Sequence, residues 1–510
     1  MVARTLSVAL LGMSGAVVEV EAHIANAIPG FQLIGLPDAA LSDAKDRVRA
    51  AAANDGCALP AKKIVVNLSP ASLPKHGSTY DLAIAVAVLA AEGGIATDTI
   101  ASVVHLGELS LDGRVRPMQG VLPAIVAARA AGFTRFVVPR GNEDEARLVP
   151  DVEISTVASL RDALIRHGAD LEPVVVEPLL QQSRDAMVAD GGDLSDVVGN
   201  PDAVEALVVA AAGGHHLFML GPPGAGKTML AQRLPGLLPD LDAEQSLVVT
   251  SLSSLAGRPL SGLVTRPPLE SPHHTSSAAA LVGGGSKLIR PGAAARAAHG
   301  VLFLDEAPEF ATSVLDSLRQ PLESGTITIH RANAIAHFPG RFQLVLAANP
   351  CPCGQFGTAD LACTCTPMAR RRYLARLSGP LLDRVDLQLR VNRVTASAMR
   401  VVGEEGSRTS TGAARARVET ARLVARERLA ATPWKTNSEV PGSWFRSRPR
   451  RLAPSVTSSI DRALERGTLT MRGYDRVLRV AWTIADLDGG SAPTQSQVGW
   501  ALYLRKSVMA

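Results

Sequence analysis

The sequence predicts an α/β fold in three parts: an N-terminal α/β domain, a phosphate-binding α/β module with a parallel sheet, and a C-terminal helical domain. Three observations carry this. The chain has 510 residues, which at about 150 residues per domain gives roughly three domains. A glycine-rich loop stands between an apolar strand and a helix at 221–228. From about residue 393 the pattern turns helical and Arg-rich, with 13 basic against 5 acidic residues over 392–451. The composition, 46% hydrophobic and 20% charged, belongs to a chain that buries large cores, and excludes disorder over most of its length. Aromatic residues are 4%, so the cores must be built from Ala, Val and Leu.

The expected boundaries are 1–175 for the first domain, 176–196 for a polar linker, 197–392 for the phosphate-binding core and 393–510 for the helical domain. At the N-terminus an apolar run followed by VVEVEA predicts a β-hairpin, with a signal peptide as the alternative. KKIVVNLSP and FTRFVVP read as buried strands, and YDLAIAVAVLAAEGG as a helix stopped by glycines. Apolar stretches such as 82–91 are about half the roughly 20 residues a membrane span needs. No membrane role is expected, and cytoplasm is the expected compartment. Five Cys in the chain make no disulfide framework. The 52 basic residues comprise 44 Arg and 8 Lys; this looks like coding bias, so Arg abundance alone is weak support for nucleic-acid binding.

Gly221-Pro222-Pro223-Gly224-Ala225-Gly226-Lys227-Thr228 matches GxxxxGK[ST] in full. It follows the strand HHLFML and opens the helix MLAQRL, the context the motif requires. Glycines let backbone N–H groups wrap a phosphate chain, and the helix N-terminus adds a favourable dipole. Lys227 is expected on the β- and γ-phosphates, and Thr228 on magnesium. VLFLDE then delivers Asp305 to magnesium and Glu306 to the attacking water as general base; an exposed acidic turn is the bland alternative. FQLVLAANP ends at Asn349, placed to hold that water, although Asn-Pro also marks ordinary turns. ATP and magnesium are the expected cofactors.

These three pieces, in this order, resemble an AAA+ ATPase. The segments PHHT, ALVGGGS, GVLFLDEAPEF, LRQPLESGTITIHRA, NPCPCG and GPLLDRVDL make the chain similar, end to end, to the magnesium-chelatase-like AAA+ ATPases of the ComM/YifB family. The resemblance implies a Lon-protease-like N-terminal domain, an AAA+ module and a helical C-terminal domain. It also implies a homo-hexameric ring and DNA branch migration during natural transformation. Carried over by motif, Arg384 matches the arginine finger that reaches a neighbour's γ-phosphate; a local ion pair with Asp383 is the alternative. Arg472 matches the second sensor arginine, with Arg476 and Arg479 as rivals. Trp482 stands where the family usually has Arg.

GELSLDGRVRPMQGVLPAIVAARAAG and LPKHGSTYDLAIA resemble the Lon proteolytic segment. Lon peptidases use a Ser–Lys dyad. Here Thr79 falls at the serine position, with Ser78 adjacent, and Leu122 falls at the lysine position. Leu cannot act as a base, so the domain is expected to serve assembly or substrate guidance.

Cys351-x-Cys353 and Cys363-x-Cys365 could close a tetrahedral zinc site, or pack as reduced apolar groups; Cys57 reads as a lone buried thiol. Single-stranded or branched DNA is the expected partner. Lys287 and Arg290 near GGGS, and His330 and Arg331 in TITIHRANA, are its candidate contacts in two pore loops; a solvated edge hairpin is the alternative. WFRSRPRR, with Arg446, Arg448, Arg450 and Arg451 beside Trp444 and Phe445, reads equally as a nucleic-acid contact or a solvated face. Two other functions compete with a DNA motor: a chelatase-type motor subunit serving tetrapyrrole metallation, and an assembly protein that binds ATP without turnover.

Overall fold

The computed structural model describes residues 2–35, 41, 43–73, 75, 77–179, 191–285, 289–331, 334–357, 363–394 and 409–506. The apolar N-terminal run is strand β1 (Val2–Leu11), and VVEVEA lies in β2 (Ser14–Ala25), its antiparallel partner. β3 (Gly30–Ile34) and helix α1 (Ala44–Asn54) follow, then β4 (Lys63–Ser69) and α2 (Asp81–Glu92). β5 (Val103–His105), α3 (Val121–Ala130), β6 (Arg135–Pro139) and β7 (Glu153–Val157) complete a seven-stranded mixed sheet in the order β3-β4-β2-β1-β5-β6-β7. In α2 every residue from Leu82 to Ala91 is buried, and Gly93, with φ 98°, ends the helix in the left-handed region that glycine favours. β4 differs from the expected fully buried strand: its residues are buried alternately, as one solvated face requires.

The second unit contains α4 (Pro201–Gly213), β8 (Leu217–Leu220), α5 (Lys227–Leu237), α6 (Ala243–Leu255), β9 (Leu269–Glu270) and β10 (Val301–Leu304). A hairpin of β11 (Thr326–Arg331) and β12 (Ala334–Pro339) precedes β13 (Gln343–Ala348) and β14 (Leu387–Arg390). The five-stranded sheet has the order β9-β10-β13-β8-β14, with parallel pairing throughout. β8, β10 and β13 are buried at every position, as expected when helices cover both faces.

The expected linker end is drawn into this unit. Asp193 caps the turn Leu194–Asp196, Leu194 is 1% exposed, and its amide donates to Thr411 Oγ1 at 2.7 Å. Arg233 on α5 fixes the same turn through Asp193 O and Asp196 Oδ2. Residues 193–196 of the expected linker therefore pack with the module; residues 180–190 lie outside the described residues.

The C-terminal helices are α7 (Thr411–Leu429), α8 (Pro454–Glu465), α9 (Met471–Leu487) and α10 (Gln495–Lys506), with a short turn of helix at Gly442–Arg446. A buried polar joint fixes them to the sheet. Asp386, just before β14, takes Arg476 of α9, and its other oxygen lies 3.3 Å from His215 Nδ1. His215 Nε2 in turn lies 2.8 Å from Thr483 Oγ1. Burial alone would raise the Asp386 carboxyl, but Arg476 and His215 outweigh it and hold it well below the usual range. Trp482 is packing rather than charge: it stacks on Phe445 at 5.7 Å, and the Arg428 guanidinium lies 4.7 Å from its ring centroid. Among the described residues, no helix is long and apolar enough to cross a membrane.

The N-terminal sheet buries a histidine pair. His105 is fully buried, with Nδ1 2.8 Å from Thr5 Oγ1 and Nε2 2.8 Å from His167 Nε2. One ring must donate where the other accepts, so the two cannot both be charged. Burial, then the neighbouring ring, pushes His105 down to about 3. Below about pH 6.5 the unfolded chain binds a proton here that the folded chain refuses, so stability falls as pH drops toward about 3, by about 1.4 kcal/mol per pH unit. Denaturant unfolding of the N-terminal domain at about pH 7 and about pH 5.5 should show this loss, and the loss should shrink in His105→Asn.

Candidate active site

All the strands of the second sheet run the same way, so their carboxyl ends share one edge, where ligands of open α/β sheets bind. β8 ends at Leu220 and leads into Gly221–Thr228. β10 ends at Leu304 and presents Asp305 and Glu306, and β13 ends at Ala348 and presents Asn349. The three pieces identified in the sequence thus meet at this edge.

Gly221 must be glycine, since a Cβ there would lie 2.2 Å from the Val391 carbonyl oxygen. Gly224 (φ 74°) and Gly226 (φ 92°) take left-handed conformations with open space beside them. Gly226 is the N-cap of α5 and supplies no side-chain cap, so the first backbone N–H groups of that helix face the loop. Lys227 is 7% exposed, and its ammonium donates to Gly221 O (2.6 Å), Pro222 O (3.0 Å) and Asn349 Oδ1 (3.1 Å). Burial lowers its pKa, against the pull of Asp305 and Glu306. Thr228 Oγ1 donates to Asp305 Oδ2 at 2.7 Å. A hydroxyl and a carboxylate meeting beside a buried ammonium and a glycine cradle are the donor set a magnesium nucleotide needs.

Glu306 sits in a left-handed backbone (φ 50°), and its Oε2 lies 3.2 Å from His274 Nδ1. His274 is a contact of this carboxylate that the sequence reading did not single out. The PHHT run marked it only as part of a family pattern, and nothing local announces that it reaches Glu306.

Arg384 and Arg472 do not join this cluster in one chain. Arg384 precedes β14, whose first residue Leu387 pairs with Leu217, the first residue of β8. It therefore lies at the amino edge of the sheet. There it pairs with Glu323, not Asp383, and donates to Pro380 O. Arg472 is exposed in the first turn of α9, one turn before Arg476, which is spent on Asp386. Arg479 is largely buried in the same joint, and burial lowers its pKa. Of the three rivals, Arg472 is the exposed one.

Arg290 is exposed in a two-stranded ribbon with Gly283–Gly284, and His330 and Arg331 are exposed at the end of β11. Arg331 Nη2 comes 3.5 Å from the Cβ position of Gly284, so the two candidate loops adjoin. Lys287 lies outside the described residues. The basic run near 450 is partly engaged: Arg446 pairs with Asp475, and Arg450 lies 3.8 Å from the Trp444 ring centroid.

In the N-terminal domain, Leu122 is fully buried and Ser78 donates to Glu108. Lys75, in the same stretch as Ser78, is also fully buried, but its ammonium is spent on the Gly35, Leu68 and Pro70 carbonyls. No dyad forms there. Cys57 is a buried free thiol, as expected.

The Sγ atoms of Cys351, Cys353, Cys363 and Cys365 all lie within 4.8 Å of one another. The closest pairs are at 3.3, 3.6 and 3.6 Å. A disulfide needs about 2.05 Å, whereas a regular tetrahedron with Zn–S bonds of about 2.3 Å sets sulfurs about 3.8 Å apart. The cluster has the dimensions of a metal site.

Comparison with known proteins covers the chain in three blocks. The family described as magnesium chelatase, subunit ChlI, matches residues 193–399; subunit ChlI of Mg-chelatase matches 20–142; and the subunit ChlI C-terminal family matches 408–505. An uncharacterized protein of Mycobacterium tuberculosis is 48% identical over 99% of this chain and 98% of its own length. Competence protein ComM of Haemophilus influenzae is 39% identical over 98% of this chain and 96% of its own. YifB of Escherichia coli, itself uncharacterized, is 38% identical over the same shares. Lon protease of Mycolicibacterium smegmatis is 29% identical over 34% of this chain and 22% of its own length.

Lys227→Ala should abolish nucleotide binding in calorimetry. Glu306→Gln should bind with near-wild-type affinity and lose turnover on the order of a hundredfold or more. His274→Ala should lower kcat about tenfold with KM kept, because it disorders the base and leaves the cradle intact.

Proposed function

The chain belongs to the magnesium-chelatase-like ComM/YifB family, and from that premise we propose that it is an ATP-hydrolysing ring motor acting on single-stranded or branched DNA, a branch-migration helicase in recombination. The observation that carries the ring is the polarity of the parallel sheet. The phosphate cradle and Glu306 occupy its carboxyl edge, and Arg384 occupies its amino edge. Four-residue strands hold these edges about 10–13 Å apart. An arginine so placed completes a neighbour's site rather than its own, which a closed homo-hexamer supplies at every interface.

In this reading, Lys227 exchanges its carbonyl partners for the β- and γ-phosphates. Asn349 holds the attacking water, and Glu306, oriented by His274, accepts its proton. Arg384 and Arg472 of the next subunit offset the charge that develops on the terminal phosphate. Thr228 and Asp305 would hold magnesium, which would neutralise charge on the phosphate oxygens. The four-cysteine cluster is read as a closed structural zinc site, since four protein ligands leave no open position for catalysis.

The DNA reading rests on the adjoining exposed Arg290, His330 and Arg331, basic groups on loops of the kind that track a phosphate backbone. The name of the Haemophilus relative, a competence protein, agrees with it. Forked or single-stranded DNA should raise ATP turnover several-fold, with an effect that weakens steeply as salt rises. Arg331→Ala should lose that stimulation. Assembled rings whose turnover ignores every DNA form would contradict the DNA assignment.

A further inference from the structure

We infer that one zinc ion on Cys351, Cys353, Cys363 and Cys365 is the clamp that holds Asn349 and the Pro223 segment of the phosphate loop in register; the turnover part of this claim rests on the ATPase reading above. The cluster lies on a closed mechanical circuit. Cys351 is fully buried and stands two residues after Asn349, at the end of β13. The turn it opens is sealed by Gly354 N donating to Cys351 O at 2.9 Å. Gly354 has φ 76°, and a Cβ there would strike Pro223 Cδ and Cγ at 2.7 Å. The cysteine turn therefore rests directly on the phosphate loop, with no room for a side chain between them.

The other two cysteines lead into helix Pro367–Leu374, which starts at Thr366, whose hydroxyl caps it. Tyr373 on that helix is 4% exposed, and its hydroxyl lies close enough to the Asn349 backbone for that group to act on its acidity. Arg370 of the same helix lies over Phe356, 3.9 Å from its ring centroid, on the loop between the cysteine pairs. Two residues beyond the helix, Arg376 donates to Pro308 O at 3.1 Å, just after Glu306. A metal bond between the two cysteine pairs closes the path from Asn349 through the cluster and the helix back to Asn349. Without it, the two cysteine pairs are held by the intervening chain and by contacts of the helix such as Arg370 over Phe356. Zinc here does no chemistry on the nucleotide; its four thiolates fix the geometry in which Asn349 and Lys227 meet at 3.1 Å.

The test uses the full-length protein. Metal is measured by elemental analysis and by zinc release on titration with an organomercurial, then removed, and the excess reagent is displaced with thiol. Hydrogen exchange is followed over 221–228 and 343–357, together with ATP turnover after magnesium is restored. The expected result is one zinc per chain, faster exchange in both segments of the metal-free protein with global circular dichroism unchanged, and turnover down on the order of tenfold or more. Zinc readdition should reverse these changes. Tyr373→Phe separates the clamp from bulk folding: it should keep its zinc, speed exchange near Asn349 and lower kcat with KM kept.

A protein without stoichiometric zinc would overturn the inference, and so would exchange in both segments that is the same with and without metal. If metal loss loosens both segments in a chain that never hydrolyses ATP, the clamp stands and the ATPase reading fails. If turnover is normal and indifferent to zinc, the ATPase reading stands and the clamp fails.

Discussion

Parallel pairing of five short strands is the constraint on which the site depends. It forces every strand-to-helix connection that carries phosphate chemistry to one edge, and every helix-to-strand connection to the other. Gly221–Thr228, Asp305, Glu306 and Asn349 all follow strands, so they converge without any long-range device. Arg384 precedes a strand, so the same rule excludes it from its own cradle. In the proposed ring, cooperation between subunits would follow from strand direction.

The helical domain is held at the amino edge by buried charge. Asp386, His215, Thr483 and Arg476 form one hydrogen-bonded chain between β14, β8 and α9, and Arg428, Asp486 and Asn437 extend it through the helices. Such a network is favourable only when every member has a partner; removing one partner of a buried pair typically costs about 3–5 kcal/mol. It also fixes the first turn of α9, and hence Arg472, relative to the sheet. The Lon-like domain meets the module through Glu145 and Ser254, through Leu247 packed against its core, and through the β1–β2 turn, where Met13 N meets His337 O on the hairpin that carries His330 and Arg331.

Much of this was legible in the residues, for physical reasons. The phosphate loop could be read because its glycines, lysine and threonine are each required by backbone geometry or charge at fixed spacing. The strands before it and before Asp305 and Asn349 could be read because full burial leaves an unbroken apolar run. Three things were not legible. The contact of His274 with Glu306 joins residues 32 positions apart, with no periodicity to announce it. The docking of Leu194 lay hidden in a polar stretch, because a single apolar residue carries no pattern. The role of Trp482 was invisible because its partners, Phe445 and Arg428, come from separate helices. The four-cysteine spacing left metal and packing equally open; what it could not show is that the four sulfurs lie within 4.8 Å of one another, close enough to share an ion.

The central claim is that each ATP is bound by one subunit and completed by the arginine of the next. Mixing two inactive variants tests it most directly. Lys227→Ala subunits keep Arg384 but hold no nucleotide, and Arg384→Ala subunits hold nucleotide but supply no finger. Each alone should be silent, and subunits exchanged into mixed rings should regain ATP turnover at interfaces that pair an intact cradle with an intact arginine. Mixed rings, verified by native mass, that stay as inactive as their parents would contradict the account.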